Sequence, residues 1–363
     1  MQIKILIIVT PSSIVERLNS LERDSMSNVS SSIISKLDRK LFANSNHPIG
    51  IVKELIWKYF KQFKDVNEEG FMCFDHFDPI VSVKQNFDAL CFPPHHVGRS
   101  SSDSYFINNE KLLRTHMTAN EPEYIETGHR AFLITGDVYR RDEIDATHYP
   151  VFHQLEGVRI FDDRSIPKSF SSDSPFDRHV GVNFDYEAQY GQDKNALRHV
   201  TDDLYYKLNG LMRFLFGEKI PIRWQTCFFP FTSPSFEIEI QYRDKWIEVC
   251  GSGVLQQSIL KDCNAPVNGW AFGLGLERLA MILFDIPDIR IFWSQDDRFL
   301  TQFQAGKISK FVLFSKYPPS YRDMSFWINE DFDANSLFDL IRQKAGDLVE
   351  NVKLVKIIVF WLN

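Results

Sequence analysis

Apolar residues recur at helical spacing in three stretches of the chain. Between His47 and Phe63 they follow the i, i+3, i+4 pattern, which predicts an amphipathic helix. The same pattern predicts a second helix over residues 193–217 and a third over LGLERLAMILFD, which begins at residue 274. Each of these helices has one apolar face to bury.

Apolar and polar residues alternate with period two elsewhere, which is typical of strands. Residues 131–161 form two such runs, and the polar stretch DEIDATHYP between them predicts a long antiparallel hairpin. Further strands are predicted over 234–242 and 245–251, and residues 70–83 form another strand-like run.

The chain changes composition at three points, which predicts its domain organisation. Residues 1–46 are rich in Ser and Asn and are interpreted as an N-terminal approach segment, with the folded part starting near His47. One large domain is expected over 47–303, with a Ser/Pro/Asp-rich insertion at 162–184. The stretch QAGKISK at 304–310 is interpreted as a linker, and residues 311–363 have the pattern of a strand, a helix and a strand.

Charge and cysteine usage exclude several classes of protein. The 363 residues carry a net charge of −7 with pI near 5.8, so any nucleic-acid contact must come from a local patch. Five widely spaced cysteines without a CxxC disfavour a disulfide framework and a zinc ribbon, and indicate a reducing compartment. No stretch approaches about 18 uninterrupted apolar residues, so no membrane segment is expected. Early acidic residues argue against a clear transit peptide.

Polar residues of the predicted hairpin fall on one face. Because alternate side chains of a strand share a face, Phe152, Gln154 and Glu156 are expected together, with Arg140 on the partner strand. An arginine fork matches phosphate oxygens, a phenyl ring suits a flat base, and Glu with Gln suits a primary ammonium. A solvated hairpin with outward charges is the alternative for this segment alone. No metal-motif spacing accompanies His148.

The stretch CFFPFTSPSFEIEIQY predicts an aromatic wall followed by an acidic strand face. Phe229 and Phe231 lie on a common side of the chain, and Glu237 and Glu239 share a strand face that Glu248 could join. An ordinary core edge is the alternative interpretation.

In GWAFGLGLERLAM, Gly269, Gly273 and Gly275 are expected to open the helix that carries Arg278 and to let the backbone approach a ligand or a strand closely. The chain contains no GxxxxGK[ST], so arginines rather than a backbone loop would meet a phosphate. Helix-on-sheet packing with a surface arginine is the alternative.

Three segments resemble a known family. YRRDEIDATHYPVFHQLEGV resembles motif 2 and GWAFGLGLERLAM resembles motif 3 of the class II aminoacyl-tRNA synthetases, in the form found in phenylalanyl-tRNA synthetases. LLRTHMTANE resembles the segment between motifs 1 and 2 of that family. The resemblance runs from about His47 to Lys356, and DIPDIRIFWSQDDRFLTQF is similar to the single-chain organellar type.

The resemblance implies an α+β fold. Residues 47–303 would form the class II aminoacylation domain, an antiparallel β-sheet flanked by helices. Residues 311–363 would form part of a ferredoxin-like anticodon-binding domain, its βαβ portion, and the departure at KIIVFWLN suggests truncation.

The resemblance also implies a nucleotide site. Arg140 would hold the α-phosphate of ATP, and Phe152 and Arg278 would lie on opposite sides of the adenine, with Arg278 also near the γ-phosphate. His148 would lie beside the β- and γ-phosphates. Arg140, Arg278 and His148 are therefore the predicted catalytic residues.

An amino acid site is implied next to it. Gln154 and Glu156 would hold the substrate ammonium, with His116 and Thr118 beside them. The substrate ring would pack on the aromatic wall with room left by two small residues, so the ring contacts are Phe229, Phe231, Ala271 and Gly273. The implied Mg²⁺ ligands are Glu237, Glu239 and Glu248.

The implied activity is ATP-dependent activation of L-phenylalanine to phenylalanyl-adenylate and its transfer to the terminal adenosine of tRNA(Phe). This is the reaction of a phenylalanine-tRNA ligase with ATP and Mg²⁺, which is expected to be a monomer in the mitochondrial matrix. It needs positioning and charge neutralisation rather than a protein nucleophile. Two alternatives remain: a catalytically impaired paralogue or truncated form that binds RNA or protein, and an adenylating enzyme that uses no tRNA.

Four residues depart from the family pattern. Met117 and Asn120 replace a hydroxyl residue and a histidine, and His95 and Val97 interrupt an acid-His-Pro sequence. These changes are expected to affect substrate affinity.

Overall fold

The computed structural model describes residues 13–64, 70–162, 166, 189, 192–314, 317–329 and 331–355. The helices of the described residues are α1 (Ile14–Ser20), α2 (Ser31–Ile34), α3 (Pro48–Phe60), α4 (Val83–Asn86), α5 (Glu121–Glu126), α6 (Lys194–Phe216), α7 (Gln257–Asp262), α8 (Leu276–Phe284), α9 (Asp297–Leu300) and α10 (Ala334–Ala345). The strands are β1 (Met72–Phe74), β2 (Ile80–Ser82), β3 (Lys111–Leu113), β4 (Ala131–Tyr139), β5 (Val151–Phe161), β6 (Ile222–Phe229), β7 (Thr232–Tyr242), β8 (Lys245–Leu255) and β9 (Asn268–Gly275).

One large sheet organises the described part of the chain. Its strand order is β1-β4-β5-β9-β8-β7-β6, and every neighbouring pair is antiparallel except β1 with β4. A separate antiparallel pair joins β2 to β3. The hairpin predicted over 131–161 and the strand pair predicted from 234 to 251 are confirmed.

Local sequence explains the long helices. Pro48 occupies the first turn of α3, where its missing N–H removes no bond, and the His47 ring accepts a hydrogen bond from the Ile49 amide at 3.2 Å. Asp193 caps α6 in the same way, and Gly217 ends that helix with φ of +98°. Helix α3 packs against both α6 and α8, and the three helices together cover one face of the sheet.

Alternation along the strands separates two cores. Leu133, Leu155 and Leu274 face α3, α6 and α8 in the main core. Ile134 and Val158 point to the other side of the sheet, where a smaller apolar cluster forms the floor of a cleft. The period-two pattern of the sequence therefore places one set of side chains in the core and the other set toward the cleft.

The described part of the N-terminal segment is packed into the main body. Leu18, Ile33 and Phe42 are at most 2% exposed and belong to the main core. The Asn28 side chain donates to the Ser101 and Ser104 carbonyls at 2.8 and 2.9 Å. The interpretation of residues 13–46 as an approach to the core is therefore wrong, because the amphipathic spacing in this segment is too short to stand out from its Ser/Asn content. The boundaries at 303 and 310 stay predictions.

The strands and glycines differ from expectation in three places. The run at 70–83 divides into β1 and β2, which belong to different sheets, because the stretch DHFDP at 75–79, with two aspartates, a histidine and a proline, interrupts it. Strand β6 has an exposed, mixed surface and shows no clear alternation. Gly269 and Gly273 lie inside β9, and only Gly275 caps α8, so these glycines do not open a helix.

The C-terminal segment contacts the main body through α10. Asp339 accepts hydrogen bonds from the Tyr105 hydroxyl at 2.7 Å and from Arg141 Nε at 2.6 Å. The strands predicted on either side of α10 are not found among the described residues of 311–355, where no backbone ladder forms. Residues 356–363 and nearly all of the predicted insertion at 162–184 lie outside the described residues.

Among the described helices, none has the length and apolar content that a bilayer crossing would need.

Candidate active site

A cleft of about 770 Å³ lies on the sheet face opposite the main core. Its floor is formed by β5, β8 and β9, and residues 115–121 and the turn between β6 and β7 form its walls. All the residues predicted to contact the nucleotide or the amino acid line it, namely His116, Thr118, Arg140, His148, Phe152, Gln154, Glu156, Phe229, Phe231, Ala271, Gly273 and Arg278. The structure therefore brings together side chains that are up to about 160 positions apart in the sequence.

The register of the hairpin sets the floor of the cleft. Phe152, Gln154 and Glu156 alternate along β5 and lie opposite Val138, Gly136 and Ile134 of β4. On the other side, β9 places Gly273 directly opposite Glu156. The shared face predicted for these β5 residues is confirmed.

Arg140 follows the last residue of β4. Its Nε atom donates to the Thr115 carbonyl at 2.8 Å, and its guanidinium lies 5.1 Å from the centre of the Phe152 ring. Within the described residues, neither Nη atom has a hydrogen-bond partner. Burial lowers the pKa of Arg140, and the carboxylates of Asp142 and Glu156 oppose this effect. A partly buried cation whose Nη donors are unpaired within the described residues is suited to an anionic ligand.

Arg278 lines a more open part of the same cleft. Its Nη1 atom donates to the Glu248 carbonyl at 3.1 Å and lies 3.6 Å from the Glu248 carboxylate. Its side chain is 45% exposed, so a ligand could draw it into the cleft without a large packing cost. Its charge acts on the pKa of Arg140, so the two guanidinium groups share one electrostatic environment.

His148 comes from the loop between β4 and β5. Its Nδ1 atom and the Asp145 carboxylate are 2.8 Å apart, and the same carboxylate group accepts the His148 backbone N–H at 2.8 Å. This contact orients the ring, whose other face remains accessible at the rim of the cleft. Glu143, Asp145 and His148 also lie close enough to share an ion, as the one such group found among the described residues.

The floor of the cleft ends in a group of polar side chains. Gln154 Oε1 accepts the backbone N–H of Met117 at 3.1 Å, which fixes its amide. Burial raises the pKa of Glu156 to about 7, and hydrogen bonds from the Thr118 side chain and from Glu121 oppose this effect. Burial also raises the pKa of Glu121 well above its usual range, with the adjacent Glu156 adding to the shift.

Aromatic rings form the wall above this polar group. The Phe229 and Phe231 rings are nearly parallel, with centroids 5.7 Å apart. Phe231 also lies near His116, which stacks on Phe92 at 5.5 Å. Burial lowers the pKa of His116 to about 3, so this ring is neutral at physiological pH. The wall is apolar and uncharged, as a hydrophobic side chain requires.

Small residues of β9 and β8 keep the cleft open beside the rings. Gly273 faces Glu156, whose Cγ atom would lie 3.5 Å from a Cβ added at this glycine. At Gly251 an added Cβ would lie 2.9 Å from Phe229 Cζ, so only glycine fits the ring without a shift. Ala271 is 4% exposed and contributes a single methyl group to the lining.

The three acidic residues predicted to hold a metal have different surroundings. Glu248 lines the cleft, but Glu237 and Glu239 do not. Glu239 accepts hydrogen bonds from Arg223 at 2.5 Å and from Gln225 at 3.1 Å, so its charge is neutralised. Burial and then the Glu248 charge raise the pKa of Glu237.

The structure adds residues that sequence reasoning missed. Glu121 lies in the cleft, five positions after His116, and only this closeness in the chain could have indicated it. Glu277 accepts the His153 backbone N–H at 2.9 Å and contacts its ring, which ties β5 to α8. Asn335 of α10 reaches the cleft rim, and no local motif marks it.

Met117 gives a structural reason for one departure from the family pattern. Its side chain is fully buried against the second core, close to the space that a Cβ at Gly136 would occupy. Met117 contacts the cleft residue Gln154 through its backbone N–H. The neighbouring Thr118 supplies the hydroxyl that acts on Glu156.

Two family models match this chain. The model described as "tRNA synthetases class II core domain (F)" matches residues 34–171 and 195–303. The model described as "Ferredoxin-fold anticodon binding domain" matches residues 315–357. The expected fold class, a class II core followed by a ferredoxin-fold domain, is confirmed.

Curated relatives agree with these models over most of the chain. The chloroplastic/mitochondrial phenylalanine-tRNA ligase of Arabidopsis thaliana is 47% identical, covering 92% of this chain and 72% of that protein. The mitochondrial phenylalanine-tRNA ligases of Mus musculus and Saccharomyces cerevisiae are 41% and 38% identical, covering 95% and 90% of this chain and 78% and 81% of those proteins. The chain therefore belongs to the phenylalanine-tRNA ligase family of class II tRNA synthetases.

Proposed function

We propose that this chain activates L-phenylalanine with ATP and transfers the phenylalanyl group to the terminal adenosine of tRNA(Phe). One observation carries the proposal: a single cleft contains two arginines, the side chains of Gln154 and Glu156, and an aromatic wall. The family of the chain agrees with this activity. An impaired paralogue would be expected to lack some of these groups, whereas all of them line the cleft.

Each part of the cleft has a role in the proposed reaction. The phenylalanine ammonium binds Gln154 and Glu156, and its ring packs on Phe229 and Phe231. This places the substrate carboxylate toward Arg140, which holds the α-phosphate of ATP for in-line attack. Phe152 and Arg278 hold the adenine between them.

The protein contributes position and charge to this reaction. The carboxylate oxygen bonds to the α-phosphorus as the bond to pyrophosphate breaks, and negative charge grows on the leaving group. Arg278 and His148 line the cleft and would stabilise that charge. In the second step a ribose hydroxyl of tRNA attacks the acyl carbon and AMP leaves. Neither step forms a covalent bond to a side chain.

Mg²⁺ fits the acidic side of the cleft. Glu248 lines the cleft, and its charge raises the pKa of Glu237, which indicates that the two carboxylates are close. Together they could provide the oxygen ligands that Mg²⁺ prefers. When bound, the ion would neutralise triphosphate charge. Glu239 is excluded from this set because Arg223 already pairs with it.

The relatives indicate the setting in which the reaction takes place. The mitochondrial location expected from the resemblance is confirmed by relatives named as mitochondrial or chloroplastic/mitochondrial. These relatives are named without a subunit, whereas the 34% identical Synechocystis relative is named an alpha subunit. This difference supports a single-subunit enzyme, and we propose that the protein is a monomer.

An exchange assay followed by a charging assay tests the proposed function. We expect L-phenylalanine to support incorporation of labelled pyrophosphate into ATP, and leucine to support much less. The protein should then attach labelled phenylalanine to tRNA(Phe). Absence of phenylalanine-dependent exchange would contradict the proposal, and exchange without charging would contradict its tRNA half.

Ala271→Gly is expected to widen the specificity for the ring. Removing the only methyl group at this position enlarges the pocket, so para-chlorophenylalanine should support exchange at least about tenfold better than with the wild type. The substitution should cost about 1 kcal/mol of stability, because glycine is unfavourable within a strand. Ala131→Gly, in β4 outside the cleft lining, is the matched control. Unchanged discrimination in Ala271→Gly would place the substrate ring elsewhere.

A further inference from the structure

Two buried carboxyl groups meet in the cleft, and only one of them has an assigned role. Glu121 is the first residue of α5 and is 2% exposed, and Glu156 on β5 is 4% exposed. Both side chains line the same cleft, and each acts on the pKa of the other. Two ionised carboxylates in contact would repel strongly away from water, so the pair must retain a proton.

The hydrogen bonds available to each residue show where the proton lies. The Thr118 side chain, the Met117 backbone and the charge of Arg140 all act to lower the pKa of Glu156, so they favour its ionised form. Glu121 Oε2 is buried and receives no hydrogen bond from the described residues. Glu121 is therefore the better site for the proton, and Glu156 carries the negative charge.

We propose that Glu121 and Glu156 share one proton while the cleft is empty, and that the α-ammonium group of the substrate displaces this proton on binding. The inference rests on the proposed function, because it concerns the same amino acid. It makes Glu121 an ammonium-binding residue and makes amino acid affinity depend on pH.

The donors and acceptors support this exchange. An α-ammonium group has three N–H donors and one positive charge. Gln154 Oε1 accepts one bond from Met117 and keeps a free lone pair, and Glu156 and Glu121 supply the other two acceptors. The ammonium would give Glu121 Oε2 the donor that it lacks, and its charge would replace the charge of the displaced proton.

The other charged groups around Glu121 do not account for titration near neutrality. Burial lowers the pKa of His116 to about 3, and burial raises the pKa of Cys263, after α7, to about 11. Arg140 remains a cation. Lys261 and Asp262 of α7, the helix packed against α5, are exposed and point to solvent.

The sign of the pH effect follows from competition. Protons stabilise the empty pair, so phenylalanine binds more weakly at low pH, and its KM should fall by up to about tenfold per pH unit as the pH rises from about 6 to 8. Glu121→Gln keeps the size of the side chain and can donate an amide hydrogen to Glu156, but it has no proton to release. Its KM should therefore change by less than about twofold over the same range.

Pyrophosphate exchange at saturating ATP, with L-phenylalanine varied, tests the proposal. Glu123→Gln is the matched control, because it makes the same change at an exposed position of the same helix and should keep the wild-type profile. Equal pH profiles for wild type and Glu121→Gln would overturn the proposal while leaving the proposed function intact. Absence of exchange in every variant would instead overturn the proposed function and the proton displacement with it.

Calorimetry on the wild-type protein gives a second test that needs no variant. L-phenylalanine is titrated near neutral pH into the protein in buffers with different ionisation enthalpies. Release of a proton to the buffer makes the observed heat depend on the buffer, and that dependence is the expected result. Heats that are the same in every buffer would overturn the proposal, even if Glu121→Gln does not fold.

Discussion

Arg278→Ala is expected to lower phenylalanine-dependent pyrophosphate exchange by about two to three orders of magnitude, the loss typical of removing one preorganised charge contact. Arg278 lines the cleft, and in the proposed reaction its guanidinium would hold one side of the adenine and stabilise charge on the departing pyrophosphate. Its present partners are the Glu248 carbonyl and carboxylate, which keep it in position before ATP arrives. The loss should therefore appear in kcat as well as in the KM for ATP.

The fold should tolerate this change. The Arg278 side chain is half exposed, and its contact with Glu248 is a surface ion pair worth at most about 1 kcal/mol. Arg298→Ala is the matched control, because that exposed side chain pairs with Asp296 and does not line the cleft. If Arg278→Ala lowers pyrophosphate exchange by less than about tenfold, and by no more than Arg298→Ala does, the assignment of Arg278 to the nucleotide site is contradicted.

Arg140→Ala is expected to have the larger effect of the two, about three orders of magnitude or more on kcat/KM for ATP. Arg140 is positioned by Thr115 and by the Phe152 ring, and its Nη atoms have no hydrogen-bond partner in the described part of the chain. In the proposed reaction they would hold the α-phosphate, at which the bond changes occur. Arg140→Lys keeps the charge but loses the planar fork and the Nε bond, so it should recover only part of the activity.

A structural loss must be separated from this catalytic one. Removing the side chain leaves the Thr115 carbonyl without its donor, which costs about 1–3 kcal/mol. Thermal unfolding of each variant measures that cost, and Arg213→Ala on the exposed surface of α6 serves as the control. Folded Arg140→Ala with exchange within about tenfold of wild type would contradict the assignment to the α-phosphate.

The sequence predicted the elements whose periodicity is strong. The hairpin that carries Arg140 and Phe152 was predicted with its face correct, because alternation persists through both strands. Strand β9 was mistaken for a helix start because its glycines obscure the period of two. Glycine is needed at Gly269, where an added Cβ would lie 2.9 Å from the Arg159 carbonyl of β5. The hydrophobic periodicity of a segment predicts which residues are buried, but it does not predict where two strands approach each other closely.

The candidate site could be predicted where it lies in recognisable motifs. His116, Gln154 and Arg278 lie in such segments, and the structure brings them into one cleft. Glu121 and Asn335 were missed because their positions depend on how α5 and α10 pack, which is decided by contacts distant in sequence. The acidic residues were misjudged for the same reason. Glu239 shares a strand face with Glu237, but Arg223 on the neighbouring strand β6 pairs with Glu239 and neutralises its charge.

A crystal structure with a non-hydrolysable phenylalanyl-adenylate analogue tests the central claim most directly. The account predicts one ligand in the cleft, with its phosphate-replacing group on Arg140, its adenine between Phe152 and Arg278, and its phenyl ring against Phe229 and Phe231. An analogue bound outside this cleft, or a base that contacts neither Phe152 nor Arg278, would contradict it.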